Sequence, residues 1–234
     1  MIDEIVHFSS DRMQLEGVLS YEESLVAPPM VLLCSPHPNL GGDMNNNVIV
    51  ALAQELSERG YVTLRFNYRG VGGSEGSFKD VAERFHYWES TFGEGNLEGA
   101  LEDTRSALSF LKTFASSVKT LRLFLAGYSF GAVMAMRLGA DDDGVIAIAG
   151  IATPVGIYNL NCLSYCKKPK LFICSDCDFA TNVEDARRNF EKFSEPKRLT
   201  VKTNVSHFYI GSEKEIAKEV VSFFNEVGPI SIRP

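Results

Sequence analysis

The chain has no run of apolar residues near the roughly 20 that a membrane-spanning helix needs, so no membrane span is expected. Nor does it carry an excess of basic residues: 23 Lys and Arg against 30 Asp and Glu leave a net charge of −7. That balance argues against nucleic acid or an anionic membrane as the main partner. There is no repeat, low-complexity tract or linker, which excludes solenoids and long disordered arms. The opening residues, MIDEIVHFSS, are acidic and lack the apolar core of a secretion signal, so a cytoplasmic location is the expectation. The turn after the first buried run reads MVLLCSPHPNLGG and lacks the G-x-G-x-x-G that a dinucleotide site requires. Cysteine is sparse. Four of the five fall at Cys162, Cys166, Cys174 and Cys177, a C-x3-C-x7-C-x2-C spacing that loosely resembles a zinc site. The intervening segment is short and apolar for a zinc ribbon, so reduced thiols are expected, with no metal and no cofactor.

What is present is ordinary globular composition, 45% apolar and 23% charged. A length of 234 residues suits one α/β domain spanning residues 1–234. Short apolar runs alternate with segments of helical periodicity, the pattern of a mostly parallel sheet covered on both faces. Buried strands are expected at Met30–Cys34, Tyr61–Asn67, Leu121–Ala126, Val145–Ala149 and Leu171–Cys174, after a leading hairpin. Helices are expected at Val48–Arg59, Leu97–Phe114, Phe130–Leu138, Glu184–Phe193 and Glu213–Asn225. Residues 68–96 break the alternation, glycine-rich at first and then aromatic (Phe85, Tyr87, Trp88, Phe92). Long connections in compact domains are usually functional.

The strongest motif is Gly127-Tyr128-Ser129-Phe130-Gly131, a G-x-S-x-G between the run LRLFLA and the helix FGAVMAMRL. Strand–turn–helix is the context a nucleophile elbow needs. The turn is too tight for flanking side chains, hence the glycines, and its strain presents the serine hydroxyl at the carboxyl end of the sheet. A serine is barely ionised at neutral pH and needs a base. Of His7, His37, His86 and His207, only His207 follows the last expected strand, where the order Ser…Asp/Glu…His puts the base. A carboxylate must fix the histidine tautomer. Asp176 and Asp178 both follow KLFICS; Asp178, farther out on the loop, is favoured, with Asp176 as the alternative, a turn cap.

A tetrahedral intermediate needs two backbone donors. One is expected from Phe130, the residue after the nucleophile. The other is expected from the loop Ser35-Pro36-His37-Pro38-Asn39, whose prolines cannot donate, so Asn39 is assigned. His37 reads as structural. Trp88, Phe92 and Tyr128 are expected to line the substrate space, with residues 79–96 as a lid insertion; the bland alternative is that these aromatics pack on outer helices.

The order of serine, acid and histidine resembles the α/β-hydrolases. SPHPNLGGDMNNN, RFNYRGVGGSEG and GYSFG together resemble a small bacterial subgroup grouped with serine aminopeptidase-like hydrolases. The resemblance covers nearly the whole chain. It implies an eight-stranded, mostly parallel sheet with the second strand antiparallel, helices on both faces and a minimal lid. It implies hydrolysis of a carboxylic ester, thioester or amide of a small acyl substrate through an acyl-serine. A non-catalytic homologue serving as a scaffold is the alternative; retention of all three triad residue types counts against it. Two departures stand out. Ser35 replaces the first histidine of the subgroup's His-Pro-His-Pro, and Lys79–Gly95 is longer than the subgroup's usual link. Arg69 and the glycines after it read as structural supports of the loop bordering the site.

Overall fold

The computed structural model describes residues 1–22, 27–93, 95–114 and 121–228. Eight strands form one sheet: β1 (Ile2–Ser10), β2 (Met13–Tyr21), β3 (Met30–Cys34), β4 (Val62–Phe66), β5 (Leu123–Tyr128), β6 (Val145–Ile151), β7 (Lys170–Cys177) and β8 (Lys197–Ser206). Their spatial order is β1-β2-β4-β3-β5-β6-β7-β8. β2 runs antiparallel to both neighbours and every other pairing is parallel. This is the eight-stranded sheet that the sequence resemblance implies.

Sequence explains placement within the sheet. MVLLC and LFLAGY are buried along their whole length, as central parallel strands must be when helices cover both faces. β8 carries Lys197, Arg198 and Lys202 and is only half-buried, which suits an edge that must not recruit another strand.

Among the described residues there are six α-helices: α1 (Asn47–Ser57), α2 (Val81–Glu89), α3 (Glu98–Phe114), α4 (Phe130–Asp141), α5 (Val183–Lys192) and α6 (Glu213–Val227). α1 and α6 bury Leu52, Leu56, Val220 and Phe224 against Val31, Leu33, Phe124 and Ala149 on one face. α3 and α4 bury Leu108, Leu111, Val133 and Met134 against Leu32, Leu64 and Leu125 on the other. Among the described residues no helix is long and apolar enough to cross a membrane.

The aromatic excursion carries α2. α2 is capped by Asp80, whose carboxylate accepts from the Glu83 N–H at 2.8 Å. Within α2 only Trp88 is buried.

The glycine-rich turn after β4 is tied to the sheet from two sides. Glu16 accepts from Asn67 Nδ2 at 2.6 Å and from the Gly73 N–H at 2.5 Å. Gly72 has a φ of +56°, and a Cβ there would lie 2.4 Å from the Glu16 carboxylate, so glycine is required. Asn67 Oδ1 accepts from the Met44 N–H at 2.8 Å, which joins this turn to the loop after β3.

Arg69 donates through its backbone N–H, Nε and a terminal nitrogen to Asp103 at 2.7–3.0 Å, and Ser10 Oγ donates to the same carboxylate at 2.7 Å. Asp103 is fully buried. Breaking a buried pair leaves an uncompensated charge and costs several kcal/mol. Asp103→Asn is expected to lower unfolding free energy by about 3 kcal/mol, read as a drop in the urea midpoint at unchanged slope. An unchanged midpoint would show that the pair contributes nothing.

Candidate active site

The turn from β5 into α4 is set by two close approaches. A Cβ on Gly127 would lie 2.2 Å from the Gly131 carbonyl oxygen, and one on Gly131 would lie 2.0 Å from the Cys34 carbonyl oxygen. No side chain fits either place, so β5, α4 and the end of β3 meet backbone to backbone. Between the glycines, Ser129 has φ +56° and ψ −119°, a region that costs about 1–3 kcal/mol for a non-glycine residue. Its N–H donates to the Ile151 carbonyl at 2.8 Å, which holds the turn. The hydroxyl stands at the start of α4, and Ser129 is 8% exposed.

Opposite it, His207 Nε2 lies 3.2 Å from Ser129 Oγ. Its Nδ1 lies 2.8 and 2.9 Å from the two oxygens of Asp178. A carboxylate only accepts, so Nδ1 carries the proton and the Nε2 lone pair of the neutral ring faces the serine. Asp178 is fixed in turn by the Ala180 and Thr181 N–H groups at 2.7 and 3.2 Å. Asp176 faces elsewhere and accepts from the Asn204 N–H at 2.8 Å. The structure therefore brings Ser129, His207 and Asp178 together, whereas Asp176 lies within β7 and bonds across to Asn204 of β8. A hydroxyl against a ring so oriented can pass its proton to Nε2 as it attacks a carbonyl carbon.

Tyr128, expected to touch substrate, is corrected. It is buried, and its hydroxyl donates to the His207 carbonyl at 2.8 Å. Burial first, and the Asp178 charge second, push its phenol pKa up, so it stays a donor that holds the histidine loop.

Asn39 is corrected as well. Its N–H donates to His37 Nδ1 at 3.1 Å and is not free for a developing oxyanion. In the same loop the N–H groups of Leu40 and Gly42 bond the His37 carbonyl, and that of Gly41 bonds the Pro38 carbonyl. From residue 37 to 42, among the described hydrogen bonds, the unspent amide is that of His37 itself. It lies between Pro36 and Pro38, which carry no N–H. The His37 ring lies 5.0 Å from that of Phe130, so this loop borders the start of α4, where first-turn amides lack helical acceptors. Ser35, at the position of the missing histidine, is buried and donates to the Phe66 carbonyl at 3.0 Å.

Trp88 is the third correction. The indole is fully buried against Tyr68, Tyr87, His37 and Phe130. It cannot line a substrate space; it supports the loop that carries His37. Phe92 stacks on His37 with centroids 4.1 Å apart and remains 43% exposed. The four cysteines are dispersed in environment: Cys166 and Cys174 are buried, Cys162 half-buried and Cys177 exposed. Among the described residues no group of three or more His, Cys, Asp or Glu is placed to hold a metal ion.

A mostly parallel sheet with β2 antiparallel, and a strained serine between β5 and α4 facing a histidine and an aspartate from later loops, together define the α/β-hydrolase fold. No protein-family model matches the chain. It is similar to a serine hydrolase homologue of that fold from Coxiella burnetii, 28% identical with a TM-score of 0.78, covering 95% of this chain and 97% of that one. It is similar in fold to a serine hydrolase from Xanthomonas campestris described as without lid, 23% identical, TM-score 0.79, over 99% and 97% of the two chains. An uncharacterized protein of Rickettsia prowazekii is 26% identical over 223 residues, 92% of this chain and 86% of that one. The chain has the α/β-hydrolase fold, and α/β serine hydrolase homologues are among the structures it resembles.

His37 gives a pH prediction. It is 2% exposed, and Nε2 donates toward the Trp88 carbonyl (3.1 Å) and Thr91 Oγ1 (2.8 Å) while Nδ1 accepts. Burial pushes its pKa down to about 4, against an ordinary 6.5, the hydrogen bond to Trp88 opposing this weakly. The unfolded chain takes a proton near pH 6.5 and the folded one does not, so stability falls as pH drops from about 6.5 to about 4. Between pH 7 and 4.5 the wild type is expected to lose up to about 2–3 kcal/mol more than His37→Gln, by denaturant titration at both values. Equal losses would show that His37 is protonated in the folded state.

Proposed function

We propose that the protein is a serine hydrolase that cleaves a carboxylic ester, thioester or amide through an acyl-serine. The observation that carries this reading is the unbroken chain Ser129 Oγ–His207–Asp178, with 3.2 and 2.8 Å links. In the proposed mechanism Oγ attacks the carbonyl carbon and its proton passes to His207 Nε2. Asp178 stabilises the imidazolium that forms. The oxyanion is held by the N–H of Phe130 and by the N–H of His37, which replaces Asn39 in this role. His207 then returns the proton to the leaving oxygen, sulfur or nitrogen as the carbonyl–leaving group bond breaks. Water, activated by the same ring, releases the acid and regenerates the serine.

The likeness to the Coxiella serine hydrolase homologue supports the reading. The burial of the Asp178 side chain supports it further, since a paired carboxylate held by two amides orients the ring without competing for substrate. The resemblance to serine aminopeptidase-like hydrolases makes an amide substrate part of the same proposal. The substrate is a small acyl compound, and no step requires a cofactor.

A fluorophosphonate probe is expected to label Ser129, with loss of labelling in Ser129→Ala. Hydrolysis of a cleaved ester should fall by about 10⁴ to 10⁶ in kcat in that variant. Failure of the folded wild type to label or to cleave any ester, thioester or amide in a broad panel would favour a non-catalytic homologue. Asp178→Asn should cost about 10⁴ in kcat through the wrong histidine tautomer. Asp176→Asn, whose side chain accepts from the Asn204 N–H and does not reach His207, should cost less than tenfold; the reverse ranking in measured kcat would move the acid to Asp176.

A further inference from the structure

We infer that Phe179 and Phe208 form the binding site for the leaving group, and that the preferred substrate carries an aromatic ring on its alcohol side. The inference rests on the acyl-serine reading above and deepens it by naming the substrate class.

Both rings border the proposed general base. The Phe179 ring lies 4.7 Å from the His207 imidazole, the Phe208 ring 5.8 Å from it, and the two rings are 5.8 Å apart at 42°. Both are open to solvent, Phe179 at 71% and Phe208 at 52%. Large side chains left exposed beside a reactive group, rather than folded into the adjacent core, mark surface kept for a ligand.

Their positions are built in. Phe179 lies on the turn that Asp178 organises through the Ala180 and Thr181 amides. The Phe208 backbone is held by Asn47 Nδ2, which donates to its carbonyl at 3.1 Å and to Glu213 at 2.8 Å. The two rings are therefore carried by braced backbone.

The side of the bond they serve follows from the chemistry. His207 must deliver its proton to the leaving atom, so the leaving group lies on the histidine side and the acyl carbonyl on the side of the Phe130 and His37 amides. Phe179 and Phe208 are on the histidine side. Centroid separations of 4.5–7 Å with tilted planes are the favoured geometry of aromatic pairs, and a third ring entering beside Phe179 would extend this cluster. Phe92, stacked on His37, lies with the oxyanion loop and serves the acyl half by the same logic.

The test compares benzyl butyrate with propyl butyrate, whose alcohols have similar leaving ability, so chemical reactivity does not bias the ratio. The wild type should prefer the benzyl ester in kcat/KM by about tenfold. Phe179→Ala and Phe208→Ala should each lower that ratio about three- to tenfold, and Phe179→Tyr, which keeps the ring, should restore it. Phe114→Ala, at the far end of α3 where Phe114 packs on Tyr21, should leave the ratio unchanged. Both phenylalanines are exposed, so their removal spares the core. Efficient labelling of Ser129 with a benzyl-to-propyl ratio near one would overturn the inference and leave the acyl-serine reading standing. A wild-type preference that survives both alanine variants would overturn it equally. Absence of labelling and of any turnover would overturn the reading beneath it, and the inference with it.

Discussion

Three backbones meet at one point, and the rest of the site depends on it. The start of α4 lies so close to the end of β3 that a Cβ on Gly131 would overlap the Cys34 carbonyl, and Gly127 faces the Gly131 carbonyl in the same way. That contact forces the chain at Ser129 into a left-handed conformation. It thereby lifts the hydroxyl off the sheet and sets the first amides of α4 beside the loop after β3. Replacing Gly127 would push α4 away from β5, and replacing Gly131 would push α4 away from the end of β3. A local steric rule thus fixes the spacing between the proposed nucleophile and the proposed oxyanion donors.

The remaining groups are brought to that point by loops, and each loop is held by a buried polar contact. Tyr128, one residue before the serine, grips the backbone of His207 through its hydroxyl. The elbow therefore positions the histidine loop as well as the serine. The acid turn is held by two amides on the Asp178 carboxylate itself. The loop after β3 is stiffened by His37, whose ring uses both nitrogens on neighbouring backbone and Thr91. Aromatic burial backs this: Trp88 fills the space behind His37 and Phe130. α2 therefore works as a brace for the loop.

The sheet is legible in the sequence because buried parallel strands are nearly unbroken apolar runs, and MVLLC, LRLFLA and KLFICS are such runs. The elbow is legible because its glycines answer a steric need that no other residue meets. The meeting of His207 with Asp178 rather than Asp176 is legible from chain order and loop length, two residues farther from the strand end. Three details are not. The capture of the Asn39 amide depends on where the His37 ring points, which no local pattern encodes. Whether an aromatic in an excursion turns inward or outward depends on tertiary space: Trp88 found it behind Phe130, whereas Phe92 stayed half in solvent. Tyr128 ends a strand that is buried on both faces, so its side chain meets the histidine loop rather than open surface.

Backbone strain is concentrated on the same edge of the sheet. Among the described residues seven non-glycine positions have positive φ, and four of them are Ser129, Ala152, Asn204 and Tyr209. These follow β5 and β6, or lie in and after the last turn of β8, so they share the end of the sheet that carries the site. Each such residue costs on the order of 1–3 kcal/mol unless its surroundings over-determine it. Here they do. Ser129 bonds the Ile151 carbonyl, Ala152 bonds that of Ile173, and Tyr209 bonds that of Ser206. Asn204 is capped by Asp176. The first two bonds each run to the next strand, so the strain at the serine is braced by β6 and that at Ala152 by β7. A site with a rigid, pre-set nucleophile needs this relay of strand ends. Asp176, which stands beside the proposed acid in sequence, is spent on this bracing: from within β7 its Oδ1 accepts from the N–H of the left-handed Asn204.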